Sequence, residues 1–288
     1  MWTRTLSRQL SGLLLTAVFG GLAAATLVRL APGFDVDERE LDPRLSEASI
    51  QSVRNSRVAE GNLGRFYWNY LRGLVRGELG VSRSLRRPVS ELLVERGPVT
   101  LRLVGEGLAA GWVLGLSLAM AAVMWRPAAV EFFSAFLASI FLCLPAALIG
   151  LLVLFIGAGR WWAIALVIFP KVFSYARNLL EDVYRAPHVL LARAKGLRSG
   201  TILLRHVLPT MAPEMLALAG VSVSLAFSAA IPLEAVCDLP GVGQLAWQAA
   251  LGRDLPVLVS LTLLLALVTR TANAAADVAI SAIRGQAS

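Results

Sequence analysis

Polar and apolar positions sort into long blocks along this chain rather than into a short alternation. Apolar blocks fall at about 10–30, 99–124, 132–157, 161–178, 213–233 and 255–280. Each reaches or approaches the roughly 20 residues that a helix needs to cross the hydrocarbon core of a bilayer. Backbone groups in lipid must be paired within their own segment, so the blocks predict six transmembrane helices and an all-α membrane protein. The fourth block is the weakest: Trp161 and Trp162 suit an interfacial position, but Pro170 and Lys171 interrupt the run. The first block, led by Arg4 and Arg8, also fits a signal peptide. Its apolar run, Leu10–Val28, is longer than a usual signal core, which favours an uncleaved first span over 1–31.

Residues 32–97 separate the first two blocks and are more than a linker. Phe66, Tyr70 and Leu74 recur every four residues, with Arg65, Arg72 and Arg76 on the other side. That spacing predicts an amphipathic helix lying at a membrane surface. Pro88 suits the first turn of a second short helix bearing Val89, Leu92 and Leu93. The mixed-charge stretch 35–60 reads as an exposed excursion. The expected organisation is therefore a first span (1–31), an external segment (32–97) and a five-helix domain (98–284).

Composition agrees with the pattern. Hydrophobic residues make up 57% of the 288 and charged residues 16%, against about a quarter charged in a soluble domain. The net charge of +8 needs no nucleic acid to explain it; basic residues at the cytoplasmic ends of spans are the simpler cause. Arg4 and Arg8, Arg126, the cluster Arg177, Arg185, Arg193, Lys195, Arg198 and Arg205, and Arg284 all mark one side, against only Arg160 and Arg253 in the short loops of the other. The positive-inside rule then puts both termini and the 180–212 loop in the cytoplasm. Cys143 and Cys237 are far apart and have neither disulfide nor metal-ligand spacing.

Candidate chemistry is sparse. There is no Walker phosphate loop, no HExxH and no GxSxG, and nothing assembles a nucleophile, base and oxyanion hole. The chain is not expected to be an enzyme or to hold a cofactor or metal; any ATP would be used by another chain. Gly241 to Ala246 fits a loose GxGxxA pattern, but no strand precedes it. Pro240, Gly241 and Gly243 are better read as a tight turn between short helices. Gly107, Gly111 and Gly115 form a smooth stripe suited to close helix packing. Arg102 and Glu106, one turn apart, read as a local ion pair in preference to a transport role. Arg270, Asn273 and Asp277 make a polar stripe that cannot face lipid cheaply, and its purpose is either helix packing or lining a pathway.

The strongest feature is the basic segment between the fourth and fifth blocks. Gly196 separates two short helical stretches and permits a sharp turn. Small Ala192 and Ala194 would let a partner surface approach, and Arg193, Lys195 and Arg198 would meet acidic groups on it.

At this point the residues resemble the permeases of bacterial binding-protein-dependent ABC importers, in the branch of the first membrane subunit of dipeptide, oligopeptide and nickel transporters. Arg29 to Gly33, Gly77 to Ser82, Arg87 to Val89, Glu95-Arg96 and Thr100-Leu101 follow the family's order in the first third. Ala192 to Leu197 and Leu204 to His206 are similar to its coupling loop. Glu234, Leu239 to Gly243, Arg253-Asp254 and Pro256 follow its last external loop, and Asn273 and Asp277 keep the last-span spacing. The resemblance implies a type I ABC importer permease fold in the bacterial inner membrane. It implies that Ala192, Arg193, Ala194, Lys195, Gly196 and Leu197 couple to a cytoplasmic ATPase. The partners it implies are two such ATPases, a second homologous permease and an extracytoplasmic substrate-binding protein. The pathway would carry peptides or a similar small solute by alternating access. One departure stands out: Leu190 and Leu191 occupy the region where the family carries a polar or acidic residue. The alternative function is a membrane scaffold that recruits a cytoplasmic partner through the basic loop without transporting anything.

Overall fold

The computed structural model describes residues 77–125 and 128–286, with isolated positions at 12, 15, 19, 20, 22, 23, 26, 72 and 73. The first span, the amphipathic helix expected near 64–77 and the 35–60 excursion lie outside the described residues. The described structure is helical, with one isolated antiparallel bridge between Val81 and Pro88. We number its helices α1 (Val89–Trp125), α2 (Ala128–Cys143), α3 (Ala146–Ile156), α4 (Trp161–Tyr184), α5 (Pro187–Ala194), α6 (Ser199–Ile202), α7 (Leu208–Val236), α8 (Val242–Leu251) and α9 (Leu255–Gln286). A π-turn, Leu203–Val207, joins α6 to α7.

Four of these stretches are long and apolar enough to cross a membrane, or five if a bent pair counts as one span. That pair corrects the expectation of one helix over 132–157. Phe132–Cys143 and Ala146–Ile156 are bent by 111° across the break at Pro145, which has φ −61° and ψ 142°. Proline lacks an N–H, and it disfavours helical backbone at the residue before it, so the α2 ladder stops there. Two other prolines behave differently. Pro98 lies inside α1, so the short helix expected at Pro88 and the second span are one 37-residue helix. Pro170 is buried inside α4, which runs unbroken to Tyr184 rather than ending at 178.

The chain divides into two units. The larger, Pro98–Gln244 with Val268–Ser288, is built around α4. Ile164, Ile168, Phe169, Val172 and Phe173 of α4 are all sealed from solvent. One buried cluster joins Ile164 and Ile168 to Leu103 and Val104 of α1, Ile149 and Val153 of α3 and Leu233 of α7. The other joins Phe173, Leu180 and Val183 to Val189, Ala192, Ile202 and Val207 of the segment after α4. The glycine stripe is what lets α1 lie against α4. A Cβ on Gly111 would come within 3.0 Å of the Ala165 carbonyl, and one on Gly115 within 2.8 Å of Val172 Cβ.

The smaller unit includes 77–97 and Leu245–Leu267. Its 77–89 stretch is a tight turn closed by Val89 N–H to Gly80 O (3.0 Å) and Ser82 N–H to Arg87 O (2.9 Å).

Candidate functional site

The basic segment after α4 is a closed helical hairpin. Pro187 occupies the first turn of α5, where its missing N–H costs nothing. At the other end Gly196 takes φ +73°. The Gly196 amide donates to Arg193 O at 2.9 Å and the Leu197 amide to Ala192 O at 3.3 Å. This pair of bonds, with glycine in the left-handed region, is the Schellman helix stop. No atom lies within 4 Å of where a Gly196 Cβ would sit, so backbone conformation, not space, selects glycine here.

The hairpin has two unlike sides. Val189 and Ala192 are buried in the cluster that contains Leu180, Val183 and Tyr184. The approach of a partner expected at Ala192 is therefore taken up by the chain itself, and its small side chain serves close internal packing. Ala194, Lys195 and Gly196 are exposed. So are Leu190 (51%), Leu191 (57%) and Leu197 (40%), in the same short segment as the exposed cations Lys195 and Arg198. Arg193 turns back: its guanidinium carbon lies 5.0 Å from the centre of the Tyr184 ring, the last residue of α4. Such a cation–π contact ties the hairpin to the end of the central helix. Beyond it, Ile202, Leu203 and Val207 are buried, so both legs of the hairpin are anchored.

Helix α4 has 24 residues and spans about 36 Å at its usual rise. Its other end lies near the turn between α7 and α8. There Glu234 is fully buried. Its carboxylate accepts from the Gly243 amide at 2.6 Å and the Gln244 amide at 3.4 Å. A Cβ on Gly241 would overlap that carboxylate, and one on Gly243 would meet Ile231 Cα at 2.6 Å. The two glycines therefore admit a backbone wrapped closely around a buried anion. The Val242 amide donates to Thr100 Oγ1 of α1 at 2.8 Å, and Gln244 donates to Asp238. Pro240, expected in this turn, lies in it between α7 and α8 and is exposed. Cys237, beside the turn, is held by burial above the usual thiol range, partly offset by the positive charge of Arg160.

The polar stripe of α9 is split. Asn273 lies against Gly220 of α7, where a Cβ would come within 2.8 Å of Asn273 Oδ1, and it donates to Thr269 O at 3.0 Å. Arg270 is half-buried and Asp277 is exposed.

The smaller unit holds a second buried carboxylate, and no periodicity or spacing in the sequence identifies it. Asp254 is fully buried. Its Oδ2 accepts from Ser82 Oγ (2.7 Å), the Ser84 amide (3.0 Å) and Ser84 Oγ (2.9 Å). This knot fastens the turn before α1 to the start of α9. Both ends of it lie in stretches that carry the family resemblance, Gly77 to Ser82 and Arg253-Asp254.

Comparisons with known proteins agree with this architecture. Residues 111–284 match the family described as binding-protein-dependent transport system inner membrane component. The glutathione transport system permease protein GsiC of Salmonella typhimurium is 26% identical over 294 residues, covering 96% of this chain and 96% of that protein. Its counterpart in Escherichia coli strain K12 is 24% identical with the same coverage. Among solved structures, an inward-facing MetNI methionine ABC transporter chain overlays with a TM-score of 0.56 at 19% identity, covering 67% of this chain and 97% of that one. The class is thus an all-helical type I ABC importer permease, a multi-pass inner-membrane protein. The chain belongs to the binding-protein-dependent transport system inner membrane component family. It is a transporter subunit that works with separate ATPase subunits and a substrate-binding protein, and the scaffold alternative gains no support.

Proposed function

We propose that this chain forms half of a translocation pathway for small peptides or a similar solute, working by alternating access. In this reading the Gly196 hairpin is where an ATPase subunit drives the permease. Two ATPases and a second, homologous permease complete the transporter, and the chain itself needs no cofactor. Six spans, the first over 10–30, put both termini and the hairpin in the cytoplasm and the Glu234 turn on the opposite side, where the binding protein delivers substrate. The peptide assignment rests on the glutathione permeases that the chain resembles over nearly its whole length, since glutathione is itself a tripeptide.

The observation that carries the reading is the two-sided hairpin. One side is buried against α4 and α7; the other offers Leu190, Leu191 and Leu197 beside cations. A rigid, internally anchored knob with an apolar tip suits a docked partner, because force applied to it passes to α4 through Val189, Ala192 and the Arg193–Tyr184 contact. The Leu190-Leu191 pair implies a receiving groove that is more apolar than one built for an acidic residue.

Gly196→Pro tests this directly. Proline fixes φ near −65°, against the +73° present, and removes the N–H that bonds Arg193 O. The variant is expected to insert into the membrane normally while losing substrate-stimulated ATPase activity in the reconstituted complex. Normal uptake by that variant refutes the coupling role.

A further inference from the structure

In the larger unit, at the end of α4 remote from the hairpin, a cleft of about 680 Å³ opens between α1, the α3–α4 turn and Leu239. It is lined by Arg102, Glu106, Arg160 and Trp161 among others. None of the features described above uses it. Its polar groups are unequal: two guanidinium groups and one carboxylate leave the cleft with a net positive charge. Arg102 donates its Nε to Glu106 Oε1 at 2.7 Å. That contact leaves the four N–H groups on its two terminal nitrogens unused, and the side chain remains 81% exposed. Arg160 is exposed as well.

The surroundings decide what kind of anion would come. Phe155 (92% exposed) and Ile156 (75%) end α3, next in sequence to Gly157 of the cleft wall. Such side chains at the end of a membrane helix suit contact with acyl chains. Trp161 and Trp162 stack at 4.5 Å between centroids at the start of α4, and paired tryptophans mark the level of the headgroups. A charged arginine among lipid-facing residues is costly unless it reaches the interface or a counter-charge. A surplus of positive charge at the headgroup level attracts an anionic headgroup by Coulomb attraction.

We propose that this cleft binds the phosphodiester headgroup of an anionic phospholipid. Arg102 and Arg160 hold the phosphate, while Phe155 and Ile156 at the end of α3 receive the acyl chains. Glu106 sets the strength of the site: it orients Arg102 and withdraws part of its charge. The bound lipid covers the outer edge of the α1–α4 contact, so it belongs to the working transporter rather than to the bulk bilayer.

The test is native mass spectrometry of the intact transporter complex, released from nanodiscs of phosphatidylcholine doped with phosphatidylglycerol. An exposed ion pair contributes up to about fivefold in affinity, so the R102Q/R160Q pair is expected to lower phosphatidylglycerol retention by up to about 25-fold. Glu106→Gln changes the cleft charge in the other direction and is expected to raise retention by up to about fivefold. A merely structural part for these residues does not produce opposite signs. Should the double variant fail to assemble, Glu106→Gln still decides the matter. Unchanged or reduced retention in Glu106→Gln, or unchanged retention in the double variant, overturns the proposal. So does full displacement of the lipid by soluble glycerol 3-phosphate, which makes the cleft a site for free anions.

Discussion

At the scale of single residues, two buried carboxylates organise the turns of this permease, and each works by accepting backbone or hydroxyl hydrogen bonds. Glu234 takes the Gly243 amide at 2.6 Å. Gln at this position keeps one acceptor but adds a buried amide group with two donors to satisfy. Leaving such a group unsatisfied costs about 1–3 kcal/mol, and Glu234→Gln is expected to lower thermal stability in detergent by that amount. Thr100→Val removes only the neutral bond to the Val242 amide and is expected to cost less, so the order of the two melting midpoints checks the assignment. Legibility at this scale is uneven. Gly196 announces its own turn, because only glycine takes its backbone angles without strain. Asp254 and Ser82 stand 172 positions apart. Nothing local in either segment points to the other, and only the family order kept both in view.

At the scale of elements, the apolar blocks marked the helices because lipid leaves the backbone no alternative, whereas helix ends depended on packing. Pro145 breaks its span by 111°, yet Pro170 sits buried in an unbroken α4. The proline rule is the same in both cases; the neighbours differ. The glycine stripe was legible as packing from its spacing, and it predicts opposite signs for two substitutions on one helix. A Val at Gly115 would push into Val172 and the Phe169 carbonyl, 2.8 Å and 3.0 Å from the new Cβ; such overpacking costs about 1–3 kcal/mol. Gly105, on another face of α1, has nothing within 4 Å of its Cβ position. Gly105→Ala is expected to stabilise the helix by about 0.5–1 kcal/mol. Thermal unfolding of the two variants side by side reads the difference. Equal effects from both argue against the α1–α4 contact through this face.

For the whole molecule, coupling at the hairpin requires the two ends of α4 to face opposite compartments. The hairpin end must meet an ATPase, and the Arg160 end must lie on the side of the Glu234 turn. Single cysteines at Lys195 and at Arg160, both exposed, test this in a chain whose Cys143 is replaced by alanine. The native Cys237 adds little background, because it is buried and its thiol is pushed up by that burial. Arg160→Cys also removes the nearby positive charge that pulls the Cys237 thiol down, so it pushes that thiol further up. Neutral thiols react slowly, and the background falls rather than rises. A membrane-impermeant maleimide is therefore expected to label Arg160→Cys in cells with an opened outer membrane and an intact inner one. Lys195→Cys is expected to react only after the inner membrane is permeabilised. The reverse order would put the hairpin on the wrong side for any nucleotide-driven partner, and the exposed Leu190, Leu191 and Leu197 would then need a different one.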